Sequence, residues 1–86
     1  MQVLKITKTE LIRTGNTFIA GCNLVAGSAA AAITLNNSVD GSGDDVGGVK
    51  TAASTSQDSA MYGNICQTGV YATLTGTDAV AYLYIK

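Results

Sequence analysis

Short runs of β-branched, aromatic and aliphatic residues, broken at close intervals by Gly, Asn, Asp and Ser, fill this chain from end to end. No window of about a dozen residues sustains apolar positions at i, i+3, i+4 and i+7, so no amphipathic helix is encoded. Such a chain buries its apolar surface by pairing strands, and the expected fold is all-β. With 86 residues it makes one domain, spanning 1–86. A domain of that size buries only roughly 60% of the surface its unfolded chain exposes. Much of its 47% hydrophobic content is alanine, including Ala29 to Ala32, which adds little apolar area per residue. A marginal monomer is expected, and a partner subunit would help it.

The expected strands are Val3–Thr7, with Leu11–Arg13 extending it or forming another, and then, after the turn TGNT, the stretch FIAGCNLVAG. There Phe18, Ala20, Cys22 and Leu24 share one parity and are expected to face the core, with Ile19, Asn23 and Val25 on the reverse side. In AAAAITLNN, Ala31, Ile33 and Leu35 fall on one side and Ala32, Thr34 and Asn36 on the other. The segment NNSVDGSGDDVGG is dense in turn formers and reads as a surface loop. Further strands are expected near Val49–Ala53 and Ser59–Gly63, giving six to eight short strands in a small antiparallel sandwich or jelly-roll-like domain.

The closing stretch GVYATLTGTDAVAYLYIK reads as a C-terminal β-hairpin from Gly69 to Lys86. Gly76 and Thr77 would form a two-residue type II′ turn, because its first position needs positive φ. That register sets Leu74 against Ala79, Ala72 against Ala81 and Val70 against Leu83 on a core face, with Ile85 beyond. On the reverse face it sets Tyr71 against Tyr82, Thr73 against Val80 and Gly69 against Tyr84. A solvated sheet face carries polar residues, so something must cover Tyr71, Val80, Tyr82 and Tyr84. Two covers fit: the chain's own second sheet or N-terminal strand, or an interface with another molecule, where tyrosine is enriched.

Little chemistry is encoded. There is no histidine, so neither a zinc set nor a serine or cysteine nucleophile–base pair can be assembled, and the carboxylates Glu10, Asp58 and Asp78 are dispersed. No catalytic residue, cofactor or metal ligand is expected. The Asp40, Asp44 and Asp45 loop has some look of an oxygen-rich calcium loop but lacks the alternating ligands and closing glutamate of an EF-hand, so a solvated turn is the favoured reading. A formal net charge of −1, with Lys5, Lys8, Arg13, Lys50 and Lys86 scattered, argues against a nucleic-acid partner. No stretch approaches the roughly 20 apolar residues of a membrane span, and the N-terminal residues lack the apolar core of a secretory signal. A soluble product made in the cytoplasm is expected. Cys22 and Cys66 are both expected to point inward as reduced, buried thiols, with a disulfide formed after release from a cell as the alternative.

Together the closing stretch, the preceding LVAGSAAAAITLNNS and the Gly/Asp-rich turn resemble a loose group of small all-β proteins of tailed bacteriophages. The layout covers about Leu24 to Ile85, and the specific part is Gly69 to Tyr84. The resemblance implies a non-enzymatic virion component made in the host cytoplasm: a capsid decoration or cement protein, homo-oligomeric and often trimeric, bound to the major capsid protein or another virion protein. Tyr71, Val80, Tyr82 and Tyr84 are the expected interface residues. The chain has no extended charged or proline-rich arm for threading along a capsid. The competing class is a phage fibre or surface module whose tyrosines stack on a host glycan, with Asp78 beside them.

Overall fold

The computed structural model describes the backbone of residues 2–86 and the side chains of all of these but 60–65. The described chain forms eight strands: β1 Gln2–Ile6, β2 Glu10–Thr14, β3 Thr17–Val25, β4 Ala31–Asn37, β5 Asp44–Thr51, β6 Ser56–Cys66, β7 Gly69–Thr75 and β8 Val80–Ile85. They build two antiparallel four-stranded sheets, one ordered β1-β8-β3-β6 and the other β2-β7-β4-β5. Every connection crosses from one sheet to the other except β4–β5, which is a hairpin within the second sheet. That interleaving is the jelly-roll arrangement of a β-sandwich.

The inner faces carry the core. Ile6, Ala81, Leu83, Ile85, Cys22, Leu24 and Ile19 come from the first sheet and Val70, Ala72, Ala31, Ile33, Leu35 and Val49 from the second. Leu4, Ile12, Val46 and Leu74 pack at its margin. Two apolar faces about 10 Å apart exclude water from the layer between them, which is what closes the sandwich.

The C-terminal hairpin does not form. Strand β7 pairs with β2 and β4, and β8 pairs with β1 and β3, so the two lie in opposite sheets. Gly76–Ala79 is an arch over the core, with Gly76 at φ +118° and Asp78 at φ +57°. The inward set Val70, Ala72, Ala81, Leu83 and Ile85 is as the parity predicts, with Leu74 half-buried. These residues face each other across the core rather than side by side.

Two more corrections follow from register. Ile19 is fully buried while Phe18 and Ala20 are half-exposed, because β3 carries a bulge between Ile19 and Gly21 that reverses the parity before it. Phe18 instead lies under Lys86, whose Nζ sits 5.2 Å from the ring centroid. The predicted loop 36–48 shrinks to 38–43, since Asn36 and Asn37 end β4 and Asp44 opens β5. Asn36, which the sequence sets at the start of the surface loop, is buried, donating to Asp45 Oδ1 and, at 3.4 Å, to the Gly43 carbonyl.

Candidate functional site: the outer face of the β1-β8-β3-β6 sheet

Alternation along β8 turns Ala81, Leu83 and Ile85 into the core, which sends Val80, Tyr82 and Tyr84 to the opposite side of the sheet. The neighbouring strands fill in that outer face in rows. Val3 of β1 stands beside Tyr84, with Gly21 of β3 on the other side. Next comes Lys5, Tyr82, Asn23 and Asp58, one residue from each of the four strands. In the last row Val80 adjoins Val25, which adjoins Ser56. Val3 is 54% exposed and Val25 37%, while Val80, Tyr82 and Tyr84 are half-buried. Among the described residues no strand packs over this face, because the other sheet lies on the inner side.

Tyr71 is not part of it. It belongs to β7 in the second sheet, where its register partners are Leu11 and Asn36. The predicted Tyr71–Tyr82 and Gly69–Tyr84 pairings are therefore replaced: Tyr82 lies between Lys5 and Asn23, and Gly69 pairs with Thr14. Loop 38–43 covers the Tyr71 ring so closely that a Cβ on Gly41 would come within 3.1 Å of it. For Tyr71 the cover is intramolecular; for Val80, Tyr82 and Tyr84 no segment of the described chain supplies one.

Of the four residues that the sequence sets on one face, Val80, Tyr82 and Tyr84 share it, and Val3, Lys5, Asn23, Val25 and Asp58, which the sequence does not group with them, reach it through other strands. The outward parity of Asn23 and Val25 on β3 is legible in the sequence; the strand order that unites them with Val3, Lys5 and Asp58 is not. In the central row Asn23 Nδ2 donates to Asp58 Oδ1. Asp78, the predicted neighbour of the rings, lies in the arch instead.

The remaining titratable groups do not converge. Asp40 Oδ1 accepts from the Ser42 amide at 3.0 Å and the Ser42 hydroxyl at 2.5 Å, which hold its carboxyl below the ordinary value. Asp45 is engaged by Asn36, and Asp44 lies in β5 opposite Asn37. Among the described residues no three His, Cys, Asp or Glu side chains are grouped to hold a metal ion. No helix of the described residues is long and apolar enough to cross a membrane.

Both thiols are free and buried. Burial, with the Asp58 carboxylate nearby, pushes the Cys22 thiol up from 9.0 to about 11, and burial raises Cys66 as well. The neutral thiol is the form the fold favours. Below the unfolded-state value both states keep the proton and nothing is lost; as pH climbs from 9.0 to about 11 the unfolded chain ionises first, and stability falls. Urea midpoints measured across that range should drop, and Cys22→Ala should make the drop shallower. Equal slopes in the two proteins would contradict the assignment.

Comparison of the chain with protein-family models, with curated proteins and with solved structures finds no match.

Proposed function

We propose that this protein is a structural component of a tailed-bacteriophage particle, a decoration protein that binds the capsid surface as a homo-oligomer. The observation that carries the proposal is the outer face of the β1-β8-β3-β6 sheet, where Val3, Val25, Val80, Tyr82 and Tyr84 form an apolar and aromatic surface over which no described strand packs. Aromatic residues with a large apolar body and a polar tip are favoured in contacts between proteins. The closing segment that resembles phage virion proteins supplies three of those five residues. A charge-poor sandwich is suited to a shell, where many copies of a modest contact add up.

A second reading, glycan recognition, draws on the Asn23–Asp58 pair beside Tyr82, since a ring flanked by amide and carboxylate groups is a sugar-stacking arrangement. Mixing the purified protein with empty heads of the encoding phage and, separately, with host cells distinguishes them. Decoration predicts co-sedimentation with heads, reduced at least about tenfold by Tyr82→Ser. Retention on cells without head binding favours the glycan reading.

A further inference from the structure

The central row of the face runs from a cation to an anion: Lys5 on edge strand β1, Tyr82 on β8, Asn23 on β3 and Asp58 on edge strand β6. Lys5 and Asp58 are both exposed and stand at opposite edges of the sheet. Three strand spacings separate them, about 14 Å, too far to pair within one chain. We infer that this face is self-complementary and that its occupant is a second copy of the chain, packed face to face about a twofold axis.

The geometry leads there directly. Let the axis lie in the plane of contact, parallel to the strands and midway between β8 and β3. The rotation then lays β1 of one copy over β6 of the other and β8 over β3, keeping each row level with itself. Lys5 meets Asp58 of the second copy, and by symmetry Asp58 meets its Lys5, so every pair of copies gains the charge contact twice. Tyr82 meets Asn23, whose side chain is half-buried and already anchored to Asp58. Val80 meets Val25 in the row beside it, and Tyr84 meets the level of Gly21, which projects no side chain. Val80 therefore falls on Val25, and cation on anion. The same axis placed across the strands would instead set Lys5 over a second Lys5 and Asp58 over a second Asp58, which charge repulsion disfavours.

The area limits the strength of this contact. Four strands wide and three outward rows long, the patch covers roughly 400 Å² per copy, about half the standard share of a stable complex. A weak, concentration-dependent pair is the expectation, one that a particle surface would reinforce by holding copies close together. The pairing deepens the decoration reading by giving this face to the contact between copies of the homo-oligomer, and its biological use rests on that reading. A twofold contact predicts dimers in solution, in place of the trimers that the sequence resemblance implies.

Sedimentation equilibrium of the full chain tests the pairing. The weight-average mass should rise from one chain toward two between about 10 µM and 1 mM. Lys5→Asp alone, and Asp58→Lys alone, each put like charges together twice per pair and should weaken association at least about tenfold. Lys5→Asp combined with Asp58→Lys should restore it to within about threefold, a rescue that two groups so far apart in one chain have no other route to. Both sites are exposed, so circular dichroism of every variant should match the parent. A chain that stays monomeric at 1 mM, forms trimers, or dimerises without sensitivity to these charges overturns the inference. The outcome is separable from the capsid result: dimers that ignore phage heads would remove the decoration role and leave the pairing intact, while heads bound by a strictly monomeric chain would do the reverse.

Discussion

Leu83→Ala should lower the free energy of unfolding by about 3 kcal/mol and the melting temperature by roughly 15 °C. Leu83 is fully buried on the inner face of β8, flanked in register by Leu4 and Cys22. Removing its branched end forfeits transfer free energy and leaves a cavity that the flanking strands, held by ladders on both sides, have little freedom to close. A domain of this length holds only on the order of 4–13 kcal/mol in total, so the variant sits close to the unfolding threshold. Tyr82→Ser, one position away but on the outer face, should cost under about 1 kcal/mol when both variants are unfolded in urea. Similar losses for the two would mean that β8 does not separate a core side from an open side.

Gly76→Ala is the second large effect, expected at about 2–4 kcal/mol. Two penalties combine at this residue. Its φ of +118° is one that residues with a Cβ rarely adopt, and a Cβ there would come 2.9 Å from both Cα and Cβ of Ala31 and 3.0 Å from the Ala30 carbonyl oxygen. Those contacts are to backbone and to the first side-chain atom, so nothing flexible can move aside. Gly15→Ala separates the two penalties: Gly15 is at φ +77°, but a Cβ there meets nothing within 4 Å. It should cost only about 1 kcal/mol, for the conformation alone. Equal costs at the two glycines would show that crowding at the arch plays no part.

Gly76 also shows what local sequence resolves and what it does not. A glycine and a threonine between two alternating runs signal a tight reversal, and both inner faces of those runs were legible from parity. Parity assigns a side chain to a face. It says nothing about whether the next strand lies beside the first or across the core from it, because both arrangements turn the same residues inward. What distinguishes them here is distant in the chain: β4 takes the place beside β7, β3 the place beside β8, and Gly27 lies so close to the arch that a Cβ on it would come within 2.4 Å of the Thr77 carbonyl oxygen. The bulge in β3 is different, since a glycine inside a strand is itself a sign of irregular pairing, and Gly21 was visible in FIAGC. The candidate site divides the same way. Val80, Tyr82 and Tyr84 came from alternation within one strand, whereas Lys5 and Asp58 joined them only through strand order.

Because the chain changes sheets at every connection but one, almost no strand can find its partner from nearby sequence. The pair β1 and β8 joins the two ends of the described chain, with Gln2 opposite Ile85. Such closures lose most of the chain's freedom before any contact compensates, which places folding in the slow, millisecond-to-second regime of high contact order. Until β8 settles between β1 and β3, the ladder edges of those strands stay open to any other chain in the same state. The organisation that gives the finished molecule its unbroken inner layer therefore makes the interval before completion the time when crowding by its own kind is most hazardous.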